Sequence, residues 1–532
     1  MHRTGPRALG AAAALVTTLA LTSACGSSGG EKPSYLNGGT FTVSIASDPQ
    51  NLDPLKATDV ITNEMDYFAY DTLINLDAKG NVVPQLATKW DVTPTSVTFT
   101  LRQGVTCADG TPLSASAVAA NYTFIQNPAN QSTAIGSQLP DTNFTVAHDD
   151  AAGTVTITTA HPFGFLLTGA GLIPIVCPKG TADRKLLEHG TDGTGPYTLT
   201  ESVAGDHYTF TVRQGYKWGP NGAGTDAAGI PTKVVLKVVQ SDSTAVNMFL
   251  GGQLSAVGVS GADKARLEGH GYGKVESGAG SSNDLFFNQR AGHPGNDPAV
   301  RKALAMDLDL PALIKVMTEN SGQAPTDLEP NSPKPCTTPT VTGNLQAHDA
   351  AGAAAALDAA GWTKGADGVR AKNGTQLKLT LVYPSGTPSE DAGMELVAGW
   401  WKDLGANATL KPMDTNALIQ MLFGNGEAWD IAALGIGVSY PSQLVGYLSG
   451  PVPPNGQNFS GIVNADYTRL AGQAIGTPGA AGCDMWAQAE KALFSAVDLV
   501  PVSITYVPTY TTKATFVYGN AGPEPTSIRL LK

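Results

Sequence analysis

Leu285-Phe286-Phe287-Asn288 reads as the end of a buried strand, and Asp297-Pro298-Ala299-Val300-Arg301-Lys302-Ala303-Leu304 follows it as helix. Helices are expected over residues 297–306 and 310–318, the second with Pro311 in its first turn. Beyond them the chain keeps alternating. An Ala-rich helix over 347–360 ends at Gly361, a strand covers 377–383, and an amphipathic helix over 390–404 ends at Gly405. A strand at 408–411, a helix at 416–423, a strand at 428–434, a helix at 484–497 and a strand at 500–506 complete the series. Strands alternating with helices place this half in the α/β class.

The first half is richer in strands. Residues 40–45 alternate apolar and polar side chains, and Asp48-Pro49-Gln50-Asn51-Leu52-Asp53-Pro54 breaks them with turn chemistry. A helix is expected over 63–76 and strands over 97–101 and 154–158. Ser114 caps a helix that runs to about Gln126. Gly193-Thr194-Gly195-Pro196-Tyr197 is a rigid turn leading to strands near 198–200 and 208–213. The strand 233–239 precedes a short helix over 243–251, with Ser243 as its expected cap. The tract 325–339 is Pro-rich without periodicity and reads as a surface loop.

The chain has 532 residues and 42% hydrophobic content, enough for two or more lobes. Only 15% of residues are charged and the net charge is -12, so no basic stripe exists to hold nucleic acid. The 61 glycines and 35 prolines imply a loop-rich but globular protein.

The N-terminus carries Arg3 and Arg7, an apolar run over 8–22, then Ser23-Ala24-Cys25-Gly26. The run is too short for a membrane-spanning helix of roughly 18 residues. The pattern resembles a bacterial lipoprotein signal, although Thr22 stands where such signals more often carry a large aliphatic residue. Gly26-Ser27-Ser28-Gly29-Gly30 reads as a flexible tether. The resemblance implies a signal over 1–24, a lipid on the Cys25 sulfur and a tether over 25–37. It also implies an extracytoplasmic protein anchored to the outer face of the cell membrane. Cys107, Cys177, Cys336 and Cys483 remain, an even number that in an exported protein favours two disulfides among three pairings.

Four stretches in order carry a family resemblance. Val83-Pro84-Gln85-Leu86-Ala87-Thr88-Lys89-Trp90 precedes Thr98-Phe99-Thr100-Leu101-Arg102-Gln103-Gly104-Val105 and Asp109-Gly110-Thr111-Pro112-Leu113-Ser114. Gly193-Thr194-Gly195-Pro196-Tyr197 precedes Tyr216-Lys217-Trp218. Phe287-Asn288 precedes the 297–304 helix start, and Ala359-Ala360-Gly361-Trp362 precedes Val500-Pro501-Val502. Together they resemble the oligopeptide/dipeptide/nickel type of extracytoplasmic solute-binding protein that feeds ABC importers. The resemblance implies a two-lobed, periplasmic-binding-protein-like class II fold of mixed α/β type. Lobe I would combine 38–56, 190–282 and 501–532, with a β-rich insertion over 57–189; lobe II would be 283–500. The pairs Cys107–Cys177 and Cys336–Cys483 would then each lie within one lobe. The implied protein is a monomer without cofactor or metal that closes on a small-molecule or peptide ligand and delivers it to permease and ATPase subunits.

The expected cleft residues are Ser47 and Asp48 after the first strand, and Ser281, Ser282 and Asn283 at the first hinge crossing. Gly437, Val438, Ser439 and Tyr440 lie in the loop after the 428–434 strand, and Tyr506 follows the second crossing. Ligands of α/β sheets favour that strand edge. Peptide-binding relatives place an aspartate in this loop against the peptide ammonium, whereas no acidic residue lies between Asp430 and Pro441 here. A buried ammonium without a carboxylate is costly. The departure lowers a free-amine peptide and favours an uncharged or blocked solute, an oligosaccharide or a metal chelate. Of Trp400 and Trp401 one belongs to the core; Trp218 is expected to pack, and Arg301 to pair with a carboxylate.

A sensor without transport shares every one of these features. A secreted hydrolase would want a nucleophile elbow or a metal motif. Gly258-Val259-Ser260-Gly261 lacks the elbow's spacing, and His2, His148, His161, His189, His207, His270, His293 and His348 form no HxxxH or HExxH pattern.

Overall fold

Ten strands drawn from distant parts of the chain join one sheet. They are β1 (Thr40–Ile45), β2 (Tyr197–Val203), β3 (His207–Val212), β4 (Lys233–Val238), β5 (Ala256–Gly258), β6 (Gly273–Phe287), β7 (Lys378–Pro384), β8 (Asn407–Met413), β9 (Ile431–Leu434) and β10 (Leu499–Thr511). Their spatial order is β8-β7-β9-β6-β10-β5-β1-β4-β3-β2. The computed structural model describes residues 34–532 apart from 50, 58, 59, 260, 426, 427 and 520. Tyr35–Lys532 is one compact unit. The expected leader over 1–24, the Cys25 lipid site and most of the 25–37 tether lie outside the described residues. Among the described residues no helix is long and apolar enough to cross a membrane.

The period of two along each strand sorts side chains to the two faces of the sheet. On β6, Leu285 and Phe287 join a core with Val300, Leu304, Trp401 and Val500, while Phe286 faces the other core. There it meets Phe459 at 5.1 Å. On β7, Leu379, Leu381 and Tyr383 face the first of these cores and Val382 the second. The unbroken apolar run at 285–287 is thus a strand covered on both sides. Parallel pairing of β7 with β8 and β9 gives this half its α/β character.

Between β1 and β2 lies a four-stranded antiparallel sheet of Ala87–Val92, Ser96–Leu101, Thr154–Thr159 and Phe144–Asp149. The helix Ala115–Gln126 covers it, and Ser114 Oγ accepts from Ala117 N at 3.1 Å as expected of its cap. A buried carboxylate ties this insertion to the large sheet. Asp71 accepts from Gln85 Nε2 (2.8 Å), Thr194 Oγ1 (2.8 Å), Tyr216 Oη (2.8 Å) and Trp218 Nε1 (3.0 Å). The Gly-Thr-Gly-Pro-Tyr turn and the Tyr216-Lys217-Trp218 stretch therefore converge on one acceptor. Trp218 packs here, as expected. Cys107–Cys177 and Cys336–Cys483 are bonded.

Several expectations are corrected. The helix expected over 63–76 is Val60–Ala69, and Ile74–Leu76 is a strand. The chain leaves the helix so that Asp71 reaches its donors. The helix expected to be capped by Ser243 is Asp242–Leu250, capped by Ser241; the Ser243 hydroxyl donates to Asp263 Oδ2 at 2.5 Å. The strand expected from 428 begins at Ile431, because Asp430 is drawn aside to accept from Thr380 N and to meet His293. The tract 325–339 is not a surface loop throughout: Asp327, Leu328 and Glu329 are buried. The Lys334 ammonium bonds Asp327, and the Cys336–Cys483 disulfide fixes the tract to the helix Cys483–Ala496.

Trp401 is the core member of its pair, with Nε1 donating to Leu304 O at 3.0 Å. Buried Arg301 meets Asp498 at 3.5 Å and also donates to Val497 O, Gly295 O and Ala496 O. It thereby closes the end of the helix Cys483–Ala496, where Val497 sits at φ 51°, a left-handed conformation unfavourable for a β-branched residue. Arg301→Met is expected to cost about 3 kcal/mol. Burial already holds the Asp498 carboxyl above its ordinary 3.8, and losing the guanidinium raises it further. The folded variant then binds more protons than the unfolded chain above the ordinary value, so its stability falls as pH rises through the raised pKa. Urea midpoints should show a larger deficit at pH 7.5 than at pH 5.

Candidate functional site

The strands β6 and β10 run antiparallel through the centre of the sheet. Their register runs from Gly273↔Thr511 through Gly280↔Tyr506 and Asn283↔Ser503 to Phe286↔Leu499, with shifts after Glu276 and after Asn283. The N-terminal part of β6 and the C-terminal part of β10 lie on the β5 side, and the opposite ends lie beside β9. Both strands thus run from one half of the sheet to the other.

Glycines let other backbones approach this crossover. A Cβ on Gly278 would meet Ser332 O at 2.2 Å, and one on Gly280 would meet Pro330 O at 2.5 Å. The tract containing Pro330 and Ser332 therefore lies directly on β6. Gly435, which follows β9, packs on Ser282, where a Cβ would meet Ser282 O at 2.1 Å. Gly437 has open space around it. Gly435→Val is expected to force the loop away from the crossover and cost about 2 kcal/mol, whereas Gly437→Ala should leave the melting temperature unchanged. Thermal unfolding of the two variants checks the contrast.

Directly opposed residues in an antiparallel pair point to the same face. Ser282 opposes Ile504 and Gly280 opposes Tyr506, while Ser281 opposes Thr505 and Asn283 opposes Ser503. The pleat therefore splits the expected hinge set. Ser282 and Tyr506 share one face, and Ser281 and Asn283 share the other.

A cavity of about 480 Å³ opens on the Tyr506 face. Ile504, Tyr506 and Pro508 come to it from β10, and Ser321, Gln323 and Ser332 from the segment after the helix Leu310–Met317. Its charged side chains are paired: Lys274 meets Glu276 at 2.7 Å, and Lys264 meets Glu268 at 3.5 Å. What the cavity offers is hydroxyls, an amide and the Tyr506 ring, whose hydroxyl donates to Pro330 O at 3.4 Å. Its volume suits a small or medium-sized solute.

Acidic groups near the crossover are pushed toward their neutral forms. Burial lifts Asp284 to about 7, against a bond from Ser282 Oγ at 3.3 Å. Burial also raises Glu390, which accepts from Asn283 Nδ2 at 3.5 Å. Under the cavity's Pro-rich wall, burial and then the neighbouring Glu490 hold the Glu329 carboxyl well above the usual range.

The remaining expected residues are dispersed. Ser47 is exposed. Asp48 accepts from Gly205 N at 2.9 Å and Tyr208 Oη at 2.8 Å, so it braces the turn between β2 and β3. Val438 is buried, and its carbonyl accepts from Asn331 N at 3.3 Å. Ser439 N and Tyr440 N donate to Gln443 Oε1. The Tyr440 ring is buried and stacked on Phe165 at 5.3 Å. Sequence reasoning did not find Gln323, Ser332, Asp284 or Glu390. Gln323 and Ser332 sit in a tract without periodicity, so no local pattern marks their facing.

The chain resembles known proteins along most of its length. The model of bacterial extracellular solute-binding proteins, family 5 Middle, matches residues 81–450. Protein XP55 of Streptomyces lividans is 27% identical over 388 residues, covering 70% of this chain and 67% of that protein. The periplasmic murein peptide-binding protein MppA of Escherichia coli (strain K12) is 25% identical over 498 residues, covering 86% of each. Among solved structures, a substrate binding protein from Microbacterium hydrocarbonoxydans complexed with 4-hydroxybenzoate hydrazide has a TM-score of 0.69. It is 26% identical and covers 92% of this chain and 100% of that one. NikA from Brucella suis in complex with Fe(III)-EDTA has a TM-score of 0.75 at 21% identity, over 92% of this chain and 99% of that one, a likeness of fold.

Proposed function

From the premise that this chain belongs to the bacterial extracellular solute-binding proteins of family 5, we propose that it captures an uncharged or charge-blocked solute at the β6–β10 crossover. As a member of that family it is an extracytoplasmic solute-binding protein of an ABC importer. The permease and ATPase subunits are its proposed partners, and binding rather than catalysis is its proposed chemistry. The lobes are proposed as 38–56, 190–282 and 501–532 with the insertion 57–189, against 283–500. The register shift after Asn283 and the pairing of Asp284 with Pro501 support those boundaries.

The observation that carries the solute class is the charge state of the cavity. Both lysines are paired, Lys274 with the lining Glu276 and Lys264 with Glu268. Among the described residues that line it no charged side chain lacks a partner, and the loop after β9 brings no carboxylate for an ammonium. Hydroxyl and amide groups remain to hydrogen-bond a neutral polar molecule. The Microbacterium relative, complexed with 4-hydroxybenzoate hydrazide, supports a small solute rather than a long peptide.

Affinity comes from closure. A solute touching both halves stabilises the form in which both contacts exist, and it shifts the equilibrium only by that difference. Micromolar binding needs about 8 kcal/mol, more than one polar wall supplies to a small solute. Native mass spectrometry of protein purified from its own host tests the class directly. A co-purified neutral solute is expected, and a free-amine peptide overturns the reading. Small-angle scattering should show compaction when that solute is added back. The proposed lipid anchor at Cys25 has its own test: Cys25→Ala should release the protein into the medium, and retention at the membrane refutes it.

A further inference from the structure

We propose that the buried side chains of Glu329 and Glu490 share one proton, and that the protonated pair is a clasp positioning the Pro330–Ser332 wall of the cavity. The importance of that wall rests on the reading above that the cavity is the solute site; the shared proton does not.

Glu329 is 2% exposed and Glu490, on the helix Cys483–Ala496, is 4% exposed. Their carboxyls meet side chain to side chain. Two ionised carboxylates hold no hydrogen between them, so this contact needs a proton on one of the two. The surroundings supply no cation instead. The Lys334 ammonium bonds Asp327 and donates to the backbone oxygen of Glu329 at 2.6 Å. Glu329 N donates to Asp327 Oδ1 at 3.1 Å, and Thr340 Oγ1 donates to Glu490 Oε2 at 2.6 Å. Glu329 Oε1 is buried and has no hydrogen-bond partner among the described residues. Tyr467 of the helix Ala465–Ala474 faces both carboxyls with a hydroxyl that burial and their charges keep neutral, and Tyr506 faces Asp327 in the same way. Three carboxyls therefore share one ammonium, and burying two uncompensated charges is costly. Among the described residues no three His, Cys, Asp or Glu side chains are placed to hold a metal ion.

The clasp reaches the cavity through the residues that follow Glu329. Pro330 O accepts from Tyr506 Oη at 3.4 Å, Asn331 N donates to Val438 O at 3.3 Å, and Ser332 N donates to Gly278 O at 2.6 Å. Ionising both carboxyls places like charges side by side and pushes this tract from its helix. Burial, before any other cause, raises both carboxyls above the ordinary 4.5. The folded chain thus keeps a proton that the unfolded chain releases. The clasp's contribution is full below the ordinary value and is lost as pH rises through the raised one.

Glu329→Gln keeps an N–H donor toward Glu490 and does not titrate. Urea unfolding of both proteins gives the folding constant of the parent relative to this variant. That ratio is expected to fall about tenfold per pH unit from pH 5 to pH 7, and a ratio constant over that range overturns the shared proton. The wall is read by amide exchange corrected for its base-catalysed rate. In the unmodified protein the protection of Ser332, relative to Leu236 in β4, should fall at least tenfold from pH 5 to pH 9. No fall, or an equal fall in folded Glu329→Gln, refutes the clasp. Should the variant fail to fold, the exchange profile of the unmodified protein decides alone. No ligand enters either measurement, so the clasp and the solute class can fail independently.

Discussion

Asp71→Ala is expected to lower the unfolding free energy by about 5 kcal/mol, because it abandons several buried donors at once. The side chains of Gln85, Thr194, Tyr216 and Trp218 all donate to this carboxylate. The loss spreads further through Arg213, whose guanidinium lies over the Trp218 ring at 5.5 Å. That guanidinium also donates to Thr194 O, Gly195 O, Thr106 O and Cys107 O, and Asp71 is a nearby negative charge for it. Burial lifts the Asp71 carboxyl to about 6, with the bonds from Tyr216, Thr194 and Trp218 opposing the rise. It is therefore mainly ionised at pH 7.5, where the experiment belongs. Asp71→Asn should fall between the two proteins, since an amide oxygen still accepts while its NH₂ confronts other donors. Guanidinium midpoints measure the series; a loss under 1 kcal/mol for the alanine variant defeats the hub interpretation.

The double variant Cys336→Ser, Cys483→Ser is expected to be less stable by about 5 kcal/mol on the chain-entropy account of cross-links. The bond spans 147 residues, so its removal frees a long loop in the unfolded chain. There is a native-state consequence as well. The bridged tract carries Pro330 and Ser332, which lie on the crossover glycines, and Glu329, buried beside Glu490. Loosening one anchor should speed amide exchange through 327–334 before any global change. Reducing agent should lower the parent's midpoint by more than that of the variant, which has only Cys107–Cys177 to lose. Equal midpoints with and without reductant, or a deficit below 1 kcal/mol, contradict the prediction.

Some of this protein was legible one residue at a time. The β1 limits, the Ser114 cap and the buried strand end at 285–287 follow from periodicity and capping, which act within a few residues. The cleft was legible only in part. Glycine at 435 is set by the approach of Ser282, from a chain segment far away in sequence. Tyr440 reads as a free aromatic face in a loop, yet Phe165 of the insertion covers it. The tract 325–339 reads as surface because proline removes periodicity; its burial comes from a disulfide, an ion pair and the glycine-lined crossover.

The sequence alone determined the α/β class, the strand and helix content and the family, because local patterning and short motifs persist without knowledge of their neighbours. Tertiary structure decided which face of the crossover each hydroxyl occupies, which charges are already paired, and where the two halves touch. Those outcomes depend on the β6–β10 register and on contacts between residues hundreds of positions apart. A shift of one residue in that register would exchange Ser281 with Ser282 across the sheet while leaving every local pattern intact.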